Sequence, residues 1–308
     1  MPERATRPAF VTGAGGFAGR HLVQRLTAGA QAPFAPSRAQ LDLLDAGAVR
    51  AVVRDQQPAA IFHLAAFSSV RLSWDTPQEA LLTNIQMTLN LLEAVREESP
   101  GAAVVLVGSG QVYGQAEQLP VTEDAPLKPL NPYAVSKAAC DLLGRQYAAS
   151  FGLRVMVMRP FNHAGPGQSD EYVLSTLARQ VAQAEAAGSP SEAVLRTGDT
   201  SIRRDFTDVR DVVRAYELAA TAEPGLYNVC SGHATPIDAL LELLGEAATV
   251  PVRHEIDPER VRAGEAPEMR GSHERLAAAT GWKPQIGLEQ TVRDTLDWWR
   301  ERLRGNSA

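Results

Sequence analysis

The stretch Phe10 to Leu22, FVTGAGGFAGRHL, joins a short apolar run directly to a helical pattern through four glycines. The run 9–12 predicts a strand, and the apolar spacing after the glycines predicts a helix. A strand that turns at once into a helix leaves the first helical amides unpaired, and glycines let a diphosphate approach them. Two registers fit, G-x-x-G-x-x-G and G-x-G-x-x-A, both beginning at Gly13. Either register predicts a dinucleotide site.

Composition sets the broad class of the protein. The 308 residues are 44% apolar, enough to bury a sizeable core. A formal net charge of -6 opposes general affinity for nucleic acid or membranes, so we expect neither as a partner. No apolar run reaches membrane-spanning length, and the first residues lack the apolar region of a signal peptide. Cys140 and Cys230 are too few for a disulfide framework or zinc site, so we expect no metal and a cytoplasmic location.

Strand and helix patterns alternate along the first half of the chain. Further strands are predicted at 32–36, 60–64, 104–107 and 154–160, and helices at 46–55, 77–98 and 133–151. This alternation predicts an α/β fold with a Rossmann-type doubly wound parallel sheet. Beyond a helix near 171–187 the pattern is less regular. We therefore expect a dinucleotide-binding domain at 1–164 and a smaller, interleaved C-terminal substrate-binding lobe at 165–308, with about 201–230 returning to the first domain.

The residues after the predicted second strand bear on the choice of cofactor. An acidic residue there would hold the ribose hydroxyls of NAD, whereas an arginine accommodates the extra phosphate of NADP. The sequence has Ser37 and Arg38, which favours NADP(H), with NAD(H) as the alternative. Asp42, a little farther on, fits either an approach residue of the next helix or an adenine contact.

Tyr133 and Lys137 lie four residues apart in a predicted helix and therefore share one face. A free phenol has a pKa of about 10, and a nearby ammonium together with a nicotinamide cation is expected to lower that pKa. Ser109 follows strand 104–107, at the sheet edge where parallel sheets bind ligands. It is placed to hydrogen-bond the same substrate oxygen. The three residues predict proton transfer beside the cofactor.

The segments TGAGGFAGRHL, HLAAFSSV, GSGQVYG, NPYAVSK, RPFNHAGPGQ, RRDFTDVRD, YNVCSG and GWKP occur in this order. In these motifs almost the whole chain resembles the extended short-chain dehydrogenase/reductase family of nucleotide-sugar enzymes. The resemblance implies a catalytic triad of Ser109, Tyr133 and Lys137, and a buried structural asparagine at Asn84. The implied cofactor contacts are Gly13, Gly16, Phe17, Gly19, Arg38, Asp42, Leu43, Leu64, Ala65, Ala66, Ser68, Tyr133, Lys137 and His163. The family pairs helices 77–98 and 133–151 across a two-fold axis, which implies a homodimer through a four-helix bundle.

The segment PFNHAGPGQ is similar to the GDP-mannose branch of that family, and its Gly-Pro-Gly-Gln is the form found in reductases. This implies a GDP-linked deoxyhexose substrate whose C4 keto group is reduced with NAD(P)H. The implied substrate contacts are Ser109, Gly110, Gln111, Tyr133, Asn162, Val173, Arg179, Arg204, Arg262 and Glu265. Fixed arginines suit a nucleotide diphosphate. The segment 262–265 reads Arg-Ala-Gly-Glu where the branch usually has Arg-Pro-x-Glu.

Three other functions are weighed against reduction. A 4,6-dehydratase needs a carboxylate beside the hexose, and relatives that dehydrate carry Glu two residues beyond the serine, where this chain has Gln111, which is neither acid nor base. The nearest carboxylates in sequence, Glu123 and Asp124, are expected to be exposed charges in a proline-flanked loop. A 4-epimerase, which reuses its hydride, is compatible with the triad. A non-catalytic dinucleotide-binding subunit would not need the triad.

Overall fold

The computed structural model describes residues 7–29, 32–188, 192–261 and 266–305. Its strands are β1 Ala9–Thr12, β2 Ala60–His63, β3 Ala103–Val107, β4 Arg154–Pro160, β5 Asn162–Ala164, β6 Ala193–Thr197, β7 Arg203–Asp208, β8 Gly225–Val229, β9 Ala234–Pro236, β10 Val252–Ile256 and β11 Glu268–Met269. Its α-helices are α1 Phe17–Ala28, α2 Ala46–Gln56, α3 Val70–Asp75, α4 Pro77–Glu98, α5 Pro132–Phe151, α6 Val173–Ala186, α7 Val209–Ala219, α8 Ile237–Ala247, α9 Glu274–Thr280 and α10 Leu288–Gly305.

The central sheet of the described chain has the order β1-β2-β3-β4-β8, and every neighbouring pair is parallel. Phe34 adds a single parallel bridge on the free side of β1. The chain therefore leaves β1 toward one side and returns to β2 on the other, which opens a crevice at the carboxyl ends of these strands. The predicted α/β fold with a doubly wound parallel sheet is confirmed.

Both faces of the central sheet are covered, which explains why its strands read as continuous apolar runs. Phe10 and Val11 are both fully buried, although adjacent strand residues point to opposite faces. Val11 belongs to an apolar cluster with Leu22 of α1 and Val212 of α7. Phe10 belongs to a second cluster, with residues of α2, α4 and α5 such as Leu91.

The prediction of a strand at 32–36 is wrong, since only Phe34 of this segment pairs with the sheet. Its amide donates to the Ala9 carbonyl at 2.8 Å, and its carbonyl accepts from the Val11 amide at 2.9 Å. Pro33 and Pro36 stand on either side, and a proline has no amide hydrogen to extend the ladder.

The later part of the chain builds a layer beside the crevice. It contains parallel β11-β7-β5, with β9 antiparallel to β7, and a separate β10-β6 pair. Leu177 of α6, Leu240 of α8 and Trp299 of α10 share one apolar cluster there. In between, α7 packs against α1, and β8 pairs with β4 of the central sheet. The division of the chain at residue 164 stays a prediction.

The close packing of the first helix gives a stability prediction. A Cβ on Gly19 would lie 2.1 Å from the Gly13 carbonyl oxygen, so Gly19→Ala forces the turn and helix apart. We expect the free energy of unfolding, measured in urea, to fall by about 1–3 kcal/mol. Gly15→Ala is the matched control, because a Cβ there meets nothing within 4 Å. Equal losses in the two variants would refute the steric explanation.

Candidate active site

A cavity of about 1980 Å³ opens at the carboxyl ends of β1, β2 and β3 and continues to the layer beside the crevice. Its wall includes the glycine turn after β1, the first residues of α5, and residues of β6 and β7. Cavities for one small ligand are usually 300–1,000 Å³. This cavity therefore has room for a dinucleotide and a second ligand together.

The glycine turn is shaped by close backbone contacts. Gly13 has φ +72°, and a Cβ on it would lie 2.6 Å from the Ala65 amide nitrogen. Gly19 likewise has no room for a Cβ. The first and last positions of the G-x-x-G-x-x-G register are therefore the ones that require glycine for steric reasons. Helix α1 begins after Gly16 without a side-chain cap. Its first amides and the positive end of its dipole form a cradle for a diphosphate.

Every predicted cofactor residue lines this cavity. The residues are Gly13, Gly16, Phe17, Gly19, Arg38, Asp42, Leu43, Leu64, Ala65, Ala66, Ser68, Tyr133, Lys137 and His163. Arg38 is exposed on the cavity wall. The Asp42 carboxylate accepts from the Leu44 amide at 3.0 Å, so it orders its own turn. The ring of Phe17 stacks on that of His163, which joins α1 to β5.

The three predicted catalytic residues meet at the cavity wall. Ser109 follows β3, is 6% exposed, and lies near enough to the Tyr133 phenol to affect its pKa. Helix α5 presents Tyr133 because Asn131 caps it, accepting from the Ala134 amide at 2.8 Å. The Lys137 ammonium donates to the Val107 carbonyl at 2.8 Å.

Burial has the largest effect on the acidity of this site. It raises the pKa of the Tyr133 phenol, and the hydrogen bond with Ser109 opposes that rise only in part. Burial also lowers the pKa of Lys137. The lowering of the phenol pKa by an ammonium together with a nicotinamide cation stays a prediction. Tyr133 is held as a protonated phenol, the form that donates a proton.

Asn84 of α4 fixes the loop after β2 against the catalytic helix. Its side chain is 2% exposed. Its Oδ1 accepts from the Phe67 amide at 2.7 Å, and its Nδ2 donates to the Phe67 carbonyl at 3.1 Å and to the Ser136 Oγ at 2.8 Å. Asn84 is thus a buried asparagine whose hydrogen bonds are satisfied by both neighbouring segments.

His63, which the motif analysis did not single out, lies beneath the same site. Its Nδ1 is 2.8 Å from the Thr12 Oγ1, and its Nε2 is 3.3 Å from the Thr88 Oγ1. Burial, aided by the charge of Lys137, lowers the pKa of His63 from 6.5 to about 3. A neutral imidazole therefore links the end of β1 to α4. A lone histidine in an apolar strand carries no local signal of this role.

The predicted substrate residues divide into three groups. Those on the cavity wall are Ser109, Gln111, Tyr133, Asn162, Val173 and Arg204. Gly110 and Arg179 do not line it. A Cβ on Gly110 would lie 3.0 Å from the Phe161 ring, and the Arg179 Nε lies 3.2 Å from an Asp170 carboxylate oxygen. Gly110 is therefore packed against Phe161, and Arg179 is paired with Asp170. Arg262 and Glu265 lie outside the described residues.

Two of the predicted substrate residues on the cavity wall have polar partners within the protein. Arg204 is largely buried and donates to the carbonyls of Arg203 and Ala266 at 2.8 and 2.9 Å. Gln111 accepts through its Oε1 from the Asn131 Nδ2 at 3.1 Å. A neutral amide thus occupies the place two residues beyond Ser109.

Some cavity residues were missed by sequence reasoning. Tyr172 lines the cavity together with Ser68, and Arg196 lines it from β6. Neither stands in a recognisable motif. The expected exposure of Glu123 is wrong: it is 5% exposed and accepts from the Asn228 amide at 2.8 Å, away from the cavity wall. Asp124 is exposed as expected.

Two general properties of the described chain bear on its function. Across the described ranges, no helix combines the length and apolar character needed to cross a membrane. Among the side chains that the structure describes, no group of three or more His, Cys, Asp or Glu residues is placed to hold a metal ion.

Comparison with known proteins identifies close relatives. The family model described as GDP-mannose 4,6 dehydratase matches residues 34–295. The GDP-6-deoxy-D-mannose reductase of Pseudomonas aeruginosa is 41% identical over 305 residues, covering 97% of this chain and 99% of the relative. A UDP-glucose 4-epimerase of Mycolicibacterium smegmatis is 30% identical, covering 95% and 98%. The solved structure of RMD from Pseudomonas aeruginosa complexed with NADPH has a TM-score of 0.87 at 38% identity, covering 96% and 100%.

The environment of His63 predicts a pH dependence of stability. Its folded pKa of about 3 lies below the usual 6.5, so the unfolded chain takes up a proton first as the pH falls. Stability that is present above pH 6.5 is then lost toward pH 3, with a slope of up to about 1.4 kcal/mol per pH unit. We expect the free energy of unfolding, measured in urea at several pH values between 7 and 5, to depend less steeply on pH in His63→Gln than in the wild type.

The readout in that experiment is the slope, because the variant also loses hydrogen bonds at every pH. His254→Gln, at an exposed histidine of β10, is the control and should keep the wild-type slope. A wild-type slope in His63→Gln would contradict the role of the buried imidazole.

Proposed function

Because this chain belongs to the GDP-mannose 4,6-dehydratase family of extended short-chain dehydrogenases/reductases, we propose that it is an NAD(P)H-dependent nucleotide-sugar 4-ketoreductase. It reduces the C4 keto group of GDP-4-keto-6-deoxy-D-mannose to give GDP-6-deoxy-D-mannose, also called GDP-D-rhamnose. The family predicted from the motifs is confirmed. The observation that carries the activity is the meeting of Ser109, Tyr133 and Lys137 on one cavity wall, with a neutral amide at Gln111.

The cofactor proposal rests on the fit of the glycine turn. A Cβ on Gly13 or Gly19 would clash with neighbouring backbone atoms, so the turn can be this tight only with glycine at both positions. Helix α1 also has no side-chain cap at its start. A cofactor diphosphate can therefore accept hydrogen bonds from the α1 amides. Arg38 on the cavity wall suits the extra phosphate of NADP(H), which we favour over NAD(H). When bound, the reduced nicotinamide supplies the hydride that C4 receives.

The proton comes from the chain itself. Tyr133 holds its proton because burial raises its pKa, and it donates that proton to the C4 oxygen as charge develops there. The Ser109 hydroxyl, on the same cavity wall as the phenol, orients the same oxygen. Lys137, one helical turn from Tyr133, supplies a positive charge that favours the resulting phenolate. Because burial lowers the pKa of Lys137, its ammonium can more easily give a proton back to the Tyr133 phenolate.

The nucleotide end of the substrate is assigned to the later part of the chain. We take residues 165–308 as the substrate lobe, with Val173 and Arg204 on its cavity wall. A buried guanidinium with a fixed orientation suits a diphosphate oxygen. Asn162 lies where this lobe meets the catalytic residues.

The amide at Gln111 favours reduction over dehydration. Loss of water from C5 and C6 requires a group that takes one proton and gives another, and an amide does neither. The Gln111 side chain is instead tied to Asn131 at the start of the catalytic helix. Reduction needs only Tyr133 as its acid.

The experiment compares two substrates. With GDP-4-keto-6-deoxymannose we expect stoichiometric loss of NADPH absorbance and formation of the 6-deoxyhexose, identified by mass spectrometry and NMR. With GDP-mannose and NADP⁺ we expect no 4-keto-6-deoxy product. Dehydration of GDP-mannose would overturn the proposal, and so would interconversion at C4 without net use of NADPH, the behaviour of an epimerase.

Tyr133→Phe serves as the variant in this assay. It removes the proton donor and should lower kcat by at least a hundredfold while NADPH binding changes little. Loss of NADPH binding in this variant would mean that Tyr133 has a structural role.

We also propose a homodimer through α4 and α5. A groove between these helices is lined by Ile85, Ala139, Leu142, Leu143 and Gln146. Leu82 and Leu142 are 67% and 53% exposed. Two such helix pairs, packed across a two-fold axis, would cover these apolar side chains as a four-helix bundle.

A charge in this groove tests the dimer. Light scattering at micromolar concentration should give a dimer for the wild type and a monomer for Leu142→Glu, because the carboxylate would be buried without a partner. Ile256→Glu, at an equally exposed apolar residue of β10, should remain dimeric. A monomeric wild type would refute the proposal.

The cellular location we propose is the cytoplasm. Cys140 and Cys230 are both free and buried. Unpaired thiols are typical of a reducing compartment.

A further inference from the structure

Arg20 places a positive charge at the start of α1, on the wall of the large cavity. It is the fourth residue of the helix, and the first turn of α1 contains no acidic residue. The amino end of a helix dipole is positive, so it stabilises anions and disfavours cations. A cation at this position breaks a local rule of helix stability, and such exceptions concentrate at functional sites. The arrangement indicates that an anion binds here.

The protein partners of Arg20 do not balance its charge. Its Nη1 donates to the Gly15 carbonyl at 2.9 Å, and its Nη2 donates to the Gly167 carbonyl at 3.0 Å. Both acceptors are neutral. Arg25, in the last turn of the same helix, is instead paired with the Glu217 carboxylate at 2.5 Å. Among the residues that the structure describes, no Asp or Glu lies within ion-pair distance of Arg20.

The two carbonyl contacts hold the guanidinium beside the glycine turn. Gly15 lies inside that turn, and Gly167 belongs to the segment that follows β5. The His21 Nε2 is 2.8 Å from the Pro166 carbonyl oxygen, so α1 holds this segment at two neighbouring points. A guanidinium has five N–H donors, and the two carbonyls take only two of them. Arg20 is exposed on the cavity wall, where a ligand can reach the others.

We propose that Arg20 donates hydrogen bonds to a diphosphate oxygen of the bound dinucleotide, which makes it a further cofactor-binding residue. The inference rests on the proposed function, since it takes NAD(P)H as the ligand. A diphosphate on the first amides of α1 supplies the negative charge that balances both the helix dipole and Arg20. A Cβ on Gly15 would meet nothing within 4 Å, so there is open space beside the guanidinium for a phosphate.

Arg20→Met tests the inference, because it removes the charge and keeps most of the length of the side chain. We expect the Kd values for NADPH and NADH, measured by calorimetry, to rise by the same factor of about ten, the effect of one charge-assisted hydrogen bond. Both cofactors carry the diphosphate, whereas 2′-AMP carries only the adenosine 2′-phosphate. The Kd for 2′-AMP should therefore not change.

Two variants on the same helix serve as controls. Arg25→Met removes an arginine that is paired with Glu217 and is not among the cavity residues. His21→Ala removes the contact with Pro166 but keeps the charge of Arg20. Neither variant should change the Kd of either cofactor. A tenfold rise in His21→Ala would overturn the inference, because the anchored segment and not the charge would then support binding.

The remaining results separate the inference from the proposed function. A wild-type NADPH Kd in Arg20→Met would overturn the inference alone. A rise confined to NADPH would also overturn it, since Arg20 would then contact the 2′-phosphate. A tenfold rise for both cofactors, with no reduction of the keto sugar by the wild type, would support the inference and overturn the proposed function. Failure of the wild type to bind either cofactor would overturn both.

Discussion

The Gly13 carbonyl oxygen and the Gly19 Cα lie so close that a Cβ on Gly19 would come within 2.1 Å of that oxygen. Gly13 in turn presses against the backbone of Leu64 and Ala65. These contacts bring the end of β1, the start of α1 and the loop after β2 into one small region. The phosphate cradle exists because three backbone segments meet there without side chains between them.

Buried polar contacts hold the catalytic helix to this frame. Asn84 bonds both the loop after β2 and Ser136 of α5. Deeper in the fold, Arg159 of β4 is paired with Asp141 of α5 at 2.7 Å, with both side chains almost completely buried. Burying such a pair carries a large desolvation penalty, and removing one partner leaves an uncompensated buried charge. Its role here is to fix α5, and with it Tyr133, relative to the sheet.

Three groups of the site are uncharged, although the Lys137 ammonium lies beside them. Tyr133 keeps its proton, His63 is uncharged, and Gln111 stands where a carboxylate would serve dehydration. Arg38 and Arg204 add positive charge to the cavity wall. Arginines on the cavity wall suit anionic nucleotide ligands.

The sequence by itself determined the fold and most of the candidate site. Buried parallel strands need apolar runs, the phosphate turn needs glycines, and one helical turn separates Tyr133 from Lys137, so all three leave local patterns. Tertiary structure alone decided the burial of Glu123, the ion pair of Arg179 with Asp170, and the unsatisfied hydroxyl of Tyr216. These depend on partners distant in the chain. Desolvation and pairing between distant segments leave no local pattern, because the same residue types are solvated in most other contexts.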